Sequence, residues 1–189
     1  MIIMSQLPQN IIAMKIGPHS NMSLNEIIKS KREEELLHKM HFWGYSGVFC
    51  QPKPTIEFCE ACVKSTGVAP SLVLIETKSA YKSNIGEIRH YSINGVDYNE
   101  FKKPVQLQGA KFSFVAQKLR NIEKFSLSRY NVVGGKNEGK PLLSHLRCRI
   151  NKSFATLTEY SFGDQVIQQQ LLTVLIADLV EPFAIWLKD

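Results

Sequence analysis

The chain contains 189 residues, 44% of them hydrophobic, and carries a formal net charge of +6. A chain of this size can bury one sizeable core, so we expect a single domain over residues 1–189. It has no apolar run long enough to span a membrane, and its N-terminus lacks the basic start, apolar segment and cleavage site of a signal peptide. We therefore expect a cytoplasmic protein.

The basic residues are concentrated in one part of the chain. Residues 101–152 hold twelve Lys or Arg and two acids, so this block carries +10 and the remainder of the chain is net acidic. A positive field of this kind favours nucleic acid, nucleotide phosphates or an acidic partner. The alternative is a solvated basic face without a ligand.

The first predicted strand is NIIAMKI, residues 10–16, which ends at Gly17 and Pro18. Two S-x-x-E patterns follow, Ser23 with Glu26 and Ser30 with Glu33, and each is typical of a helix start. We therefore predict a one-turn helix at about 24–29 and a longer helix at about 31–42.

The longer helix is predicted to carry an apolar, core-facing stripe of Leu36, Leu37, Met40 and Trp43, and Gly44 is placed as its C-terminal cap. His38 and His41 would lie on one face of this helix, and ordinary surface histidines are the favoured interpretation.

The middle of the chain predicts one helix and several strands. A short amphipathic helix is expected at about 56–65 and a strand at 71–79. β-like segments near 86–93, 103–107 and 111–116, with an Asn94-Gly95 hairpin turn, indicate an antiparallel ribbon. We interpret about 50–125 as a long β-rich insertion.

The last part of the chain predicts a strand within 146–160 and a helix over 165–180, because the second segment is apolar nearly all round. The expected fold class is α/β, an α+β arrangement with a mixed sheet.

The four cysteines are expected to be reduced, because they are too few for a disulfide scaffold. Cys59 and Cys62 form a C-x-x-C pair, but zinc would need two more ligands, and no second C-x-x-C or H-x-x-x-H is present. Buried thiols are the favoured interpretation.

One short motif indicates nuclease chemistry. Glu76 and Lys78 end the predicted strand as E-x-K, in which the acid of a restriction-type nuclease binds Mg²⁺ and the lysine positions water. Such a site also needs an upstream acid, and a lone E-x-K is common by chance.

A glycine-rich stretch, YNVVGGKNEGKPLLSHLRCR at 130–149, interrupts the apolar pattern. Glycines let backbone N–H groups approach an anion, so Gly134, Gly135 and Gly139 favour a phosphate cradle, although a hairpin tip fits equally. The spacing from Gly134 to Lys140 matches the phosphate loop of NTPases, but Pro141 replaces the hydroxyl residue that would hold Mg²⁺.

Two separated segments resemble the ParB/sulfiredoxin superfamily. The first is NIIAMKIGPHSNMSLNEIIKSKREEELLHKMHFWGYSGVF, with a strand lysine and an EEELLxxMxxxG helix, and the second is YNVVGGKNEGKPLLSHL. In the second segment Lys136, Asn137 and Glu138 stand where the superfamily has paired arginines. The likeness extends to plasmid fertility inhibition factors of this superfamily.

This resemblance implies a ParB/sulfiredoxin-like domain that blocks transfer of another element's DNA, including T-DNA, through a type IV secretion system. The implied partners are the transferred DNA or nucleoprotein and the coupling ATPase, with association at the inner face of the cytoplasmic membrane through partners. The implied activities are ATP hydrolysis and DNA cleavage with Mg²⁺.

On this hypothesis each candidate residue has a role. Gly134, Gly135 and Gly139 shape the loop, Lys136 and Lys140 neutralise phosphate, and Asn137 lines the nucleotide site. Glu138, or Glu33 and Glu34, would hold Mg²⁺ or orient water, with Arg32 steadying the transition state. The residues expected to bind nucleic acid are Lys102, Lys103, Lys124, Arg129, Arg147 and Arg149.

Two alternative functions remain open. One is a restriction-type, metal-dependent nuclease that uses Glu76 and Lys78, and the other is a non-catalytic basic clamp for DNA or protein.

Overall fold

A computed structural model describes residues 7–17, 22–77, 85–147, 150–158 and 171–189. The strands are β1 (Asn10–Ile16), β2 (His41–Tyr45), β3 (Ser71–Glu76), β4 (Ile85–Ser92), β5 (Tyr98–Gln108), β6 (Phe112–Ser126), β7 (Tyr130–Val132), β8 (Lys152–Leu157) and β9 (Leu171–Lys188). The helices are α1 (Leu24–His38), α2 (Pro52–Thr66) and α3 (Leu142–Leu146), with 3-10 turns at Leu127–Arg129 and Gly135–Asn137. The expected mixed α/β class is confirmed. None of the helices described here is long and apolar enough to cross a membrane.

The described strands form one mixed sheet in the order β2-β6-β9-β3-β1-β8-β7, with β4 paired to both β5 and β9. β1 and β3 run parallel, and the other recorded pairings are antiparallel. β3 lies between β1 and β9, and β6 lies between β2 and β9. The range 50–125 therefore supplies interior strands of the sheet as well as the predicted β4-β5 ribbon.

The predicted helix over 165–180 is wrong for its described part, because the chain from Leu171 to Lys188 is the long strand β9. β9 is an interior strand that pairs with β3, β4 and β6. A strand buried on both faces reads as a continuous apolar run, which periodicity cannot separate from a buried helix. Residues 165–170 lie outside the described residues.

The two helices predicted between 24 and 42 are one helix, α1. Its predicted start is confirmed, since Ser23 and Glu26 form a reciprocal capping box in which the Ser23 N–H donates to Glu26 Oε2 at 2.7 Å. The second S-x-x-E pattern lies inside the helix. α1 ends at a left-handed Lys39, not at Gly44, which lies in β2.

The predicted core stripe of the helix is also wrong. Leu36 and Leu37 are 77% and 60% exposed. The buried residues of α1 are instead Ile27, Lys31 and Glu34, so a buried ion pair occupies part of the face that apolar residues were expected to fill.

His41 differs from its prediction as well. It begins β2 and is fully buried, so it is not a surface histidine of a helix.

Other local predictions are confirmed. α2, β3 and β8 lie within or across the predicted segments, and the β4-β5 hairpin turns at Asn94 and Gly95. The Asn94 side-chain oxygen accepts the N–H groups of Val96 and Asp97, both at 2.9 Å, and Gly95 has φ +78°. This is the local turn chemistry that the dipeptide favours.

Helices cover both faces of the sheet. Alternate residues of β1 and β3 point to opposite faces, so each strand contributes to both packing layers. Ile12 and Leu72 pack with Ile27 of α1 and Cys59 of α2. The other face packs with α3 through residues such as Ile11, Val73 and Leu142.

The prediction of buried thiols is confirmed for Cys50, Cys59 and Cys62, and burial raises the pKa of each; Cys148 lies outside the described residues.

Candidate functional site

Three chain segments meet at one end of the sheet. β7 pairs antiparallel with β8, and β8 pairs antiparallel with β1, so the end of β7, the start of β8 and the end of β1 lie side by side. The Val133 N–H donates to the Phe154 oxygen at 3.0 Å, and the Lys15 N–H donates to the Asn151 oxygen at 2.8 Å. The segment Gly134–Lys140, hereafter the glycine loop, leaves β7 at this end.

The glycine loop is closed like a hairpin. The Val132 N–H donates to the Lys140 oxygen and the Gly139 N–H donates to the Val132 oxygen, each at 2.9 Å. Gly134, Gly135 and Gly139 have φ of +79°, +71° and +77°. A side chain is strained at such angles, so all three glycines are required by the turn itself.

The loop nevertheless offers donors for an anion. The N–H groups of Glu138 and Lys140 are used within the loop, by the oxygens of Gly135 and Asn137. Among the described residues, the N–H groups of Gly135 and Lys136, at the start of the 3-10 turn, have no backbone partner. The hairpin and the phosphate cradle are therefore compatible in one segment.

Positive charge accumulates beside these donors. Lys136 and Lys140 are exposed, and Lys140 Nζ donates to Asn137 Oδ1 at 2.9 Å. The pKa of His145, on α3, is lowered first by burial and then by the charges of Lys140 and Lys15. The glycine loop and the end of β1 thus contribute to one electrostatic environment.

A cavity of about 550 Å³ lies next to this end of the sheet, between β1, α1 and β2. Its lining includes Lys15, Lys31 and Lys152 with Trp43 and Tyr45. Its size is in the ordinary range for small-molecule sites.

Lys152 is the least expected member of this cavity. It is 9% exposed, its Nζ donates to the Ser46 oxygen at 3.3 Å, and it lies 5.1 Å from the centroid of the Tyr45 ring. No carboxylate of the described residues forms an ion pair with it. Burial lowers its pKa. The sequence identified Lys152 only as a member of the basic block. Its place in the cavity could not be predicted, because it depends on β8 approaching the end of β2.

The predicted residues of α1 do not converge on the glycine loop. Arg32 and Glu33 are exposed, and neither they nor any residue of the loop lines the cavity. Glu34 is buried, with its carboxylate 3.2 Å from Lys31 Nζ and accepting the Phe42 N–H at 2.6 Å. Burial raises the pKa of Glu34 and lowers that of Lys31. Glu34 therefore braces α1 against β2.

The basic block is divided by the fold. Lys124, Arg129 and Arg147 are exposed on β6, at the 3-10 turn before β7 and after α3, and this turn packs against α3. The Arg129 oxygen accepts the Thr158 N–H, so Arg129 lies at the end of β8 opposite the glycine loop. Lys102 and Lys103 are exposed beside a different cavity, which Val115 also lines. Val115 and Lys124 lie roughly 25–30 Å apart along β6. Arg149 lies outside the described residues.

The nuclease motif is only partly described. Glu76 ends β3 opposite Ile16 and is exposed, whereas Lys78 lies outside the described residues. Within the described part of the chain, no three His, Cys, Asp or Glu residues are grouped to hold a metal ion.

No protein-family model, curated protein or solved structure matches this chain. Function is therefore inferred from its residues and their arrangement.

Proposed function

We propose that this chain is a plasmid fertility inhibition factor of the ParB/sulfiredoxin superfamily, similar to the oncogenic suppression activity protein Osa. Such a factor blocks transfer of another element's DNA, including T-DNA, through a type IV secretion system, acting at the coupling ATPase and the transferred nucleoprotein. One observation supports the proposal most. The two segments that carry the resemblance are far apart in sequence, yet β1 and β7 are separated by β8 alone.

The glycine loop is the proposed phosphate site. The N–H groups of Gly135 and Lys136 would donate to phosphate oxygens, and Lys136 and Lys140 would neutralise their charge. ATP supplies a phosphoryl group that hydrolysis can transfer to water. The positive lining then continues through Lys15 toward the cavity.

Glu138 is the carboxylate of the loop, so it is the residue proposed to hold Mg²⁺ or to orient water. Mg²⁺ commonly keeps several waters and binds one or two carboxylates together with substrate phosphates, so a single protein carboxylate fits this metal. Arg32 and Glu33 are exposed on α1 and do not converge on the loop, so they are not proposed as contacts of the bound nucleotide. Glu34 already has two structural partners.

Alanine at both Lys136 and Lys140 is expected to weaken ATP binding by about 100-fold, because two charged phosphate contacts are lost. Both side chains are exposed, so the free energy of unfolding should change by less than about 1 kcal/mol. Isothermal titration calorimetry measures the first effect and urea unfolding the second. The glycines are poor test positions because their positive φ makes alanine destabilising in any case.

The matched control is Lys53→Ala with Lys64→Ala, which removes the same charge from exposed positions of α2 that line neither cavity. Mating assays then ask whether the loop variant, and not the control, restores transfer of an incoming plasmid through a type IV secretion system. Unchanged ATP affinity would contradict the phosphate loop, and unchanged transfer in the presence of the wild-type chain would contradict the fertility inhibition function.

DNA is proposed to bind exposed cations of the glycine loop and of the chain on either side of it. These cations are Lys124, Arg129, Lys136, Lys140 and Arg147. If all contact phosphates, the log–log dependence of duplex affinity on salt should have a slope of about −4. Fluorescence polarisation over a salt series measures it, and a flat dependence would remove DNA from the proposed partners. Cleavage is assayed separately with Mg²⁺.

A further inference from the structure

A second cavity lies far from the glycine loop, between the C-terminal end of α1 and the β4-β5 hairpin. It has a volume of about 610 Å³. Its floor includes the buried residues Phe42, Val115 and Ile185, and Tyr91 and Phe101 lie on its hairpin side. We call it the aromatic groove.

The mouth of the aromatic groove is apolar and exposed. Leu37 of α1 and Ile93 of the hairpin both line it, and they are 60% and 52% exposed. A single exposed apolar side chain is ordinary, but these two flank a groove whose floor is buried and apolar, so mouth and floor together offer apolar surface to a partner.

The rim of the groove is basic. Lys39, Lys102 and Lys103 line it against one acid, Glu100. No carboxylate of the described residues forms an ion pair with any of the three lysines. Charge complementarity therefore favours an occupant that covers the apolar mouth and presents acidic groups to this rim.

Nucleic acid fits these features less well than a protein. Phe101 is already in ring contact with Phe42, Tyr91 and His38, at centroid distances of 5.2, 4.6 and 6.4 Å, so its faces offer little room for base stacking. Phosphates would also leave Leu37 and Ile93 without an apolar partner. An amphipathic helix satisfies both the apolar mouth and the charged rim.

We propose that the aromatic groove binds an acidic amphipathic helix of a protein partner. Leucine-like side chains of that helix enter between Leu37 and Ile93, and its carboxylates meet Lys39, Lys102 and Lys103. This surface is separate from the glycine loop, and the proposal does not depend on nucleotide binding or on fertility inhibition.

The test uses the full chain and a designed fluorescent peptide helix with leucines at i, i+3, i+4 and i+7 and glutamates on the flanking positions. Fluorescence polarisation should show at least about tenfold tighter binding than for the same peptide with lysines in place of glutamates. Leu37→Ser with Ile93→Ser should weaken binding by about tenfold or more, and Lys102→Glu with Lys103→Glu should do the same.

Leu36→Ser is the matched control, because Leu36 is adjacent on α1 and 77% exposed but does not line the groove. It should bind the acidic peptide like the parent chain. Circular dichroism checks that each variant folds.

Four results would overturn the proposal. The first is equal or tighter binding of the lysine peptide, and the second is an equal loss of peptide affinity in Leu36→Ser and in Leu37→Ser with Ile93→Ser. The third is self-association, measured by sedimentation, that Leu37→Ser with Ile93→Ser abolishes. The fourth is a loss of single-stranded DNA affinity in Lys102→Glu with Lys103→Glu. The third would assign the groove to a second copy of this chain, and the fourth would assign its rim to DNA.

Discussion

Replacing Glu34 with alanine is expected to lower the free energy of unfolding by about 3–5 kcal/mol. The carboxylate lies 3.2 Å from the buried ammonium of Lys31 and accepts the Phe42 N–H at 2.6 Å. Its removal leaves a buried charge and a backbone donor without their partner, and both losses act against folding. Urea unfolding of the parent and the variant measures the difference.

Neighbouring positions provide the controls. Glu33 is the adjacent acid and is exposed, so Glu33→Ala should change the free energy of unfolding by no more than about 0.5 kcal/mol. Glu34→Gln keeps an acceptor for the Phe42 N–H but not the charge. Its free energy of unfolding should therefore lie between those of Glu34→Ala and Glu33→Ala. If Glu34→Ala were as stable as Glu33→Ala, the Glu34 carboxylate would not hold α1 against β2. That result would favour its predicted role in holding Mg²⁺ or orienting water.

Acidification is expected to destabilise the protein through His41 by about 3 kcal/mol between pH 6.5 and pH 4. This imidazole is fully buried, and burial lowers its pKa from 6.5 to about 4, although the nearby Glu35 carboxylate opposes the shift. In that pH window the unfolded chain binds a proton at His41 and the folded chain does not. Stability therefore falls as the pH is lowered through the window, and it is fully retained above pH 6.5.

The measurement is urea unfolding as a function of pH, compared with His41→Asn. His41 Nδ1 accepts the Trp43 Nε1–H at 2.9 Å, and an asparagine oxygen can take that place without titrating. Burial also lowers the pKa of His145, which both proteins share, so the difference in slope isolates His41. Between pH 4 and 6.5 the parent slope should be steeper by up to about 1.4 kcal/mol per pH unit. Equal slopes would show that the folded chain already holds a proton on His41.

The parts of the fold that depend on local chemistry follow from the sequence. The Ser23 and Glu26 capping box, the Asn94-Gly95 turn and the alternation in β1 each depend on residues that are close along the chain. The position of the glycine loop was predicted for the same reason, because glycines at the end of an apolar strand mark a turn whatever the rest of the fold is.

The loop residues of the candidate site could be predicted from the sequence, but the cavity residues could not. The loop residues are contiguous, so Lys136 and Lys140 could be named from the sequence. Lys152 could not be placed in the cavity, because its contacts with Tyr45 and Ser46 require β8 to approach the end of β2. The same limit applies to Glu34, whose brace to Phe42 forms only when α1 packs on β2.

The sequence by itself determined the helix start at Ser23, the Asn94-Gly95 turn, the class of fold and the position of the glycine loop. The tertiary structure decided the type of β9 and which surfaces the elements bury. β9 became a strand because β3 and β6 flank it, although its apolar run fits a helix equally. Leu37 became exposed because α1 turns Lys31 and Glu34 inward, and the basic block split because β6 carries its two ends far apart. Each outcome depends on neighbours distant in sequence, and the free energy of burial and pairing depends on those neighbours more than on local preference.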